Sequence, residues 1–103
     1  MQISERLRAV SDMVASGSCL ADVGTDHGYI PIYLVSEGRI PKAIAMDINL
    51  GPLSRARENI ETGGLSGKIE TRLSNGLDAL APGEADTIII AGMGGPLAVE
   101  ILK

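Results

Sequence analysis

A short glycine loop and three carboxylates in the first half of the chain are the residues best placed to do chemistry. In Ala21-Asp22-Val23-Gly24-Thr25-Asp26-His27-Gly28-Tyr29 an apolar run gives way to a glycine loop, and Asp47 follows one βαβ step later, after a second apolar run over residues 43–46. Doubly wound folds hold nucleoside cofactors in this way. Backbone N–H groups of the loop and the helix N-terminus meet the ligand's charged tail, and the downstream acid accepts hydrogen bonds from ribose hydroxyls. Residue types inside the loop choose among such cofactors. A dinucleotide loop needs a second glycine where the pyrophosphate touches the backbone. Asp26 takes that position, and its carboxylate repels a phosphate. The phosphate loop G-x-x-x-x-G-K-[ST] does not occur in the sequence. S-Adenosylmethionine suits the same acids, because its ammonium and sulfonium are attracted where a phosphate is repelled.

Asp22, Gly24, Thr25 and Gly28 are therefore expected to frame the methionine end of that cofactor, and Asp47 to accept from the ribose diol. The plainer alternatives are a tight turn with a capping Asp and a solvated acid at a strand end. Ile48 is placed to pack on the adenine face or, equally, to be a core isoleucine. The Asn75 amide, with Gly76 beside it, can donate to N1 and accept from N6 of an adenine, although Asn-Gly is also a turn pair. Asp26 and His27 are the candidates for a general base or substrate contact, with a loop-ordering hydrogen bond as the other role for His27. No metal site is expected.

These residues need elements to position them. Ile3, Leu7, Val10 and Val14 recur at helical spacing, with Ser4 as a cap, and predict a first helix ending near Gly17. Residues 19–23 read as a buried strand. Pro31 suits the first turn of a helix over residues 30–37, and Gly38 its stop. A second strand is expected over residues 42–47. Pro52 opens a third helix with Leu53, Ala56 and Ile60 on one face, Arg55, Arg57, Glu58 and Glu61 outward, and Gly63-Gly64 as its end. Residues 68–73 alternate as a half-exposed strand, and residues 86–91, with Ile88-Ile89-Ile90, read as a buried one. Pro96 is expected to begin a last helix running to Lys103. Strands alternating with helices imply an α/β fold, a Rossmann-like parallel sheet of order 3-2-1-4 flanked by helices, with the ligand at the carboxyl ends of the strands.

Residues 1–103 are enough for one small domain. The composition is 45% hydrophobic with only 2% aromatics, so the core is aliphatic. A net charge of −4 is a poor footprint for a stand-alone nucleic-acid binder. The single Cys19 excludes an internal disulfide and fits a reducing cytoplasm. The charged N-terminus is no signal peptide, and no apolar run approaches a membrane span. Arg6, Arg8, Arg55 and Arg57 are candidates for phosphate contacts, or ordinary solvated helix faces. A strand over residues 88–90 at the sheet edge would be a pairing hazard. That leads to two expectations: a truncated, N-terminal part of a longer domain, or a homodimer through the exposed fourth strand.

ADVGTDHGYIPIYL, AMDINLGPLSRARENI, SNGLDAL and ADTIIIAGMGG, in this order, resemble the bacterial tRNA (adenine-22 N1) methyltransferase family. The resemblance spans essentially the whole chain but less than half of the family's usual length. It implies an S-adenosylmethionine-dependent enzyme with tRNA as partner, and further strands and a C-terminal helical domain outside this chain. Ala91, Gly92, Met93, Gly94 and Gly95 take the place where amino-methylating enzymes carry an Asn/Asp-Pro-Pro-aromatic motif. Ala91 is expected on the cofactor side, and Gly92 and Met93 beside the reacting base. Small residues with exposed carbonyls let a base approach edge-on, which fits attack by a ring nitrogen rather than by an exocyclic amine. A methyltransferase of another substrate and a non-catalytic nucleoside-binding fragment are the alternatives.

Overall fold

The computed structural model describes residues 5–91 and 97–101. Three helices and five strands follow in the order α1 (Glu5–Ser11), β1 (Cys19–Val23), α2 (Tyr29–Ser36), β2 (Lys42–Asp47), α3 (Leu50–Thr62), β3 (Ile69–Leu73), β4 (Thr87–Ala91) and β5 (Leu97–Ile101). They build one sheet of order β3-β2-β1-β4-β5. β1 pairs in parallel with β2 and β4, and β2 in parallel with β3. The expected 3-2-1-4 arrangement is thus present, and all four strand exits reach the same edge.

The strand patterns explain the placement. β1 is buried at all five positions, as a central strand covered on both faces must be. β3 is buried only at Ile69, is half-buried or exposed at its other four positions, and lies at the edge. On one side of the sheet Leu20, Ala43, Ala45 and Ile89 pack with Val10 of α1, Ile30, Leu34 and Val35 of α2 and Ile60 of α3. On the other, Ala21, Val23, Ile44, Met46 and Ile88 pack with Leu80 and Ala85 from the β3–β4 connection.

Two expectations are corrected here. The segment expected to begin a helix at Pro96 instead carries β5, antiparallel to β4, with Ile89 opposite Val99. Backbone hydrogen bonding decides between the two. β4 would otherwise present a row of unpaired N–H and C=O groups at an apolar edge. The five residues Leu-Ala-Val-Glu-Ile suit a strand or the first turns of a helix, so local pattern does not decide. It follows that β4 is not exposed, and the homodimer expected through an exposed fourth strand loses its basis.

The first helix is shorter than its apolar spacing suggests. α1 stops at Ser11, whose buried hydroxyl donates back to the Leu7 carbonyl at 2.8 Å. Val14 is buried from the turn that follows, so apolar spacing outlasts the helix; Ile3 and Ser4 lie outside the described residues. α3 begins two residues before Pro52, which occupies its first turn, and Leu53, Ala56 and Ile60 are its buried face as expected.

Candidate functional site

The carboxyl edge of the sheet gathers the loop after β1, the turn after β2 and the turn after β3. Asp47 joins all three. Its Oδ2 accepts the Asp26 N–H at 3.0 Å and its Oδ1 the Asn49 N–H at 2.9 Å. Its carbonyl accepts the Ser74 N–H at 2.9 Å. A carboxylate offers about four lone-pair sites, so Asp47 can still accept from a ligand while holding the loops. Its residue is nonetheless 7% exposed, which leaves a narrow approach.

The β1–α2 loop is tightly built. The Gly24 and Thr25 N–H groups both donate to the Met46 carbonyl at 2.8 Å, turning the chain over the end of β2. Gly24 has φ 78° and Gly28 φ 77°, the left-handed region glycine adopts without a Cβ penalty. At Gly28 a second demand is added: a Cβ there would lie 3.2 Å from the Ala56 Cβ. Gly28 therefore serves the close packing of α2 on α3. Asp26, where a dinucleotide loop has its second glycine, keeps the glycine-like backbone with φ 55°. It is the sole described non-glycine residue with positive φ.

Asp22 lies beneath this loop, 3% exposed, and accepts the Thr25 hydroxyl at 2.8 Å. Burial pushes its carboxyl up to about 7; the Thr25 hydrogen bond opposes this and the Asp47 charge adds to it. Above the loop the Asp26 carboxylate is 65% exposed and lies 3.0 Å from His27 Nδ1. The His27 ring stacks on Tyr29, with centroids 5.3 Å apart and planes 9° from parallel. The Asn59 amide of α3 donates to the His27 carbonyl at 2.9 Å.

The other side of the edge is apolar and open. Ile48 is 58% exposed, and Leu50, Leu73 and Leu77 are exposed with it. The core-isoleucine alternative for Ile48 is thereby set aside. Asn75 and Gly76 are exposed in a turn in which the Asp78 N–H donates to the Asn75 carbonyl at 3.2 Å. Arg72 fixes the connection beyond: it donates to the Ala79 carbonyl at 2.8 Å and forks onto both oxygens of Glu84 at 2.7 Å. The guanidinium holds the Glu84 carboxyl well below the usual range, at about 2.

The structure thus brings Asp22, Gly24, Thr25, Asp26, His27, Gly28 and Asp47 into one hydrogen-bonded unit, with Ile48, Asn75 and Gly76 on the adjoining turns. Ala91 closes β4 at the same edge, while Gly92 and Met93, with Gly94 and Gly95, lie outside the described residues. The sequence alone does not single out the exposed Tyr29 and Leu77 at this edge, nor the tethering role of Asp47. Tyr29 had a signal available, as one of only two aromatic residues in the chain.

Fold and site together define a Rossmann-like α/β domain with an acidic nucleoside-cofactor site. The chain belongs to the methyltransferase domain family, whose model matches residues 3–103. It is 41% identical over its whole length to the tRNA (adenine(22)-N(1))-methyltransferase of Bacillus subtilis, of which it spans 43%. Among solved structures, Streptococcus pneumoniae Sp1610 in complex with S-adenosyl-L-methionine superposes with TM-score 0.85 at 46% identity, over 89% of this chain and 44% of that one. M. capricolum TrmK in complex with S-adenosyl-homocysteine gives TM-score 0.76 at 32% identity, over 87% of this chain and 52% of that one. Among the described residues no helix is long and apolar enough to cross a membrane.

Proposed function

We propose that this chain is the cofactor-binding part of an S-adenosylmethionine-dependent methyltransferase that acts on N1 of an adenine in tRNA, in the cytoplasm. The observation that carries the cofactor reading is Asp26: a carboxylate with glycine-like backbone at the point where a pyrophosphate would need a bare backbone. With Asp22 below and Asp47 beside it, the loop suits a cationic ligand tail. The relatives named above support the tRNA substrate.

S-Adenosylmethionine, when bound, supplies an electrophilic methyl group on a positively charged sulfur. The chain's own residues bind and orient. Gly24, Thr25 and Gly28 give the loop backbone that follows the methionine end, and Asp22 adds its charge from beneath. Asp47 accepts from the ribose with the lone pairs its backbone tethers leave. Ile48 and Leu77 supply apolar surface for the adenine, and the Asn75 amide, beside Gly76, reads its edge. Ala91, the last residue of β4, is assigned to the cofactor side, and Gly92 and Met93, next in sequence, to the base to be methylated. N1 of adenine already carries an in-plane lone pair, so alignment with the methyl group can supply much of the rate enhancement. Asp26, exposed at the loop's crest, is placed to take the N6 proton after transfer, with His27 orienting its carboxylate.

The test is calorimetric titration with S-adenosylhomocysteine, NAD as control, followed by methyl transfer to tRNA with adenine or guanine at the acceptor position. Selective binding of S-adenosylhomocysteine and adenine-dependent transfer support the reading. Equal binding of NAD removes the cofactor assignment; transfer to the guanine-substituted tRNA removes the substrate.

A further inference from the structure

The chain contains no Phe or Trp and two Tyr residues. Tyr33 is partly buried and packs against the aliphatic core. Tyr29 does the opposite: it is 40% exposed at the first position of α2, and its ring is stacked on the ring of the only histidine. The chain's more exposed aromatic residue therefore lies directly after the cofactor loop.

That point is held from several sides. The His27 carbonyl is bonded to the Asn59 amide at 2.9 Å. The Gly28 N–H, between the two rings in sequence, donates to the Thr25 carbonyl at 2.9 Å. A Cβ at Gly28 would crowd the Ala56 Cβ at 3.2 Å. The His27 Nδ1 is 3.0 Å from the Asp26 carboxylate. Two near-parallel rings on a pinned backbone, with a carboxylate at their margin, form a preorganised stacking surface. The margin matters chemically, because a carboxylate accepts from an exocyclic amine and not from a carbonyl.

An enzyme that modifies the pairing edge of a base must take that base out of its stack. The lost stacking has to be replaced, and an aromatic face replaces it for any base. From this we infer that the His27–Tyr29 stack is the platform on which the methyl-accepting purine of the RNA is laid, with its amine side toward Asp26. The inference rests on the methyltransferase reading above and adds the residues that receive the substrate base.

Tyr29→Ala and Tyr29→Phe decide it. S-Adenosylhomocysteine affinity is measured by calorimetry, and kcat and KM for tRNA by methyl transfer. Removal of one base–aromatic stack should lower kcat/KM for tRNA on the order of 10–100-fold. Tyr29→Phe, which keeps the ring, should restore kcat/KM to within a few-fold of the wild-type value. S-Adenosylhomocysteine affinity should stay within about two-fold in both variants, as expected of residues that meet the RNA. A Tyr29→Ala variant with kcat/KM within about three-fold of wild type overturns the platform. So does a parallel loss of S-adenosylhomocysteine binding in Tyr29→Ala, which would place the ring in the cofactor pocket. If the wild-type protein itself fails to bind S-adenosylhomocysteine, the methyltransferase reading falls and the platform with it, a result distinct from either Tyr29 outcome.

Discussion

Replacing Asp22 by Asn should stabilise the fold at neutral pH and weaken the cofactor site. Asp22 has an ordinary pKa of 3.8 that burial raises to about 7 in the folded chain. The sign follows from proton counting. Between those two values the unfolded chain has lost the Asp22 proton and the folded chain retains it. The folded state thus binds more protons, and stability falls as pH rises through this window, then levels off above about 7. Roughly three pKa units at 1.36 kcal/mol each set an upper limit of about 4 kcal/mol on the Asp22 contribution by pH 8. Asn keeps an oxygen for the Thr25 hydroxyl, which now donates to Asp22 Oδ2 at 2.8 Å, but its NH2 enters a buried site without an assigned acceptor. A net stabilisation of about 1–3 kcal/mol at pH 8 is therefore expected. Near pH 4 the two proteins should differ little, or the variant should be weaker.

Urea denaturation of both proteins at pH 4.5, 6 and 8 checks this through the pH dependence of the difference, in which every other titrating group cancels. Calorimetry adds a second readout. A cationic ligand tail favours the ionised Asp22, so wild-type S-adenosylmethionine affinity should weaken about tenfold per pH unit below about 7, with proton release on binding. The Asp22→Asn variant should show a flatter profile. Parallel urea curves for the two proteins at all three pH values would refute the reasoning, because Asp22 would then titrate alike in the folded and unfolded chains.

Gly28→Ala should destabilise by about 2–3 kcal/mol in urea denaturation, since φ 77° is strained for a residue with a Cβ and that Cβ meets Ala56 at 3.2 Å. Asp26→Gly should stabilise by about 0.5–1 kcal/mol by relieving φ 55°, while methyl transfer declines; a destabilised variant would show that its contact with His27 outweighs the strain. Ile48→Asp should leave the melting temperature nearly unchanged, because Ile48 is 58% exposed, and lower S-adenosylhomocysteine affinity by about tenfold or more. Arg72→Lys removes the fork to Glu84 and should raise amide hydrogen exchange across residues 75–85; unchanged protection there would show that the connection is ordered without it.

What was legible in the chain follows from how local each determinant is. β2 lies at residues 42–47 as read, because an unbroken apolar run between a turn and an acid admits little else. The buried face of α3 was equally plain from its spacing. The end of α1 was not, since Val14 is buried without being helical. β5 escaped because its identity depends on the unpaired edge of β4, a fact about a strand pair rather than about residues 97–101. Asp47 stands out in the sequence as a candidate ligand acid, but its hydrogen bonds to Asp26 and Asn49 are invisible there, since the first depends on where a loop 21 residues earlier comes to rest. The family resemblance placed the cofactor correctly among relatives and said nothing about Tyr29.

The loop departs from ordinary folding preferences at three neighbouring places, and the departures share a direction. A buried carboxyl at Asp22, a positive φ at Asp26 and an exposed ring at Tyr29 each make the unliganded fold less stable than a Val, a Gly and a Lys would. A structural turn would have no use for any of them. On the reading proposed above, two of the three are offset by ligands: a cation near Asp22 removes the cost of its buried charge, and a base on the Tyr29 ring covers its exposed face. Asp47 supplies the rigidity that lets these costs persist, since its carboxylate and carbonyl fix the loop, its own turn and the exit of β3 at once. Removing Asp47 should therefore damage folding and binding together. Substitutions at Asp22, Asp26 and Tyr29 should separate the two, improving or sparing stability while impairing function.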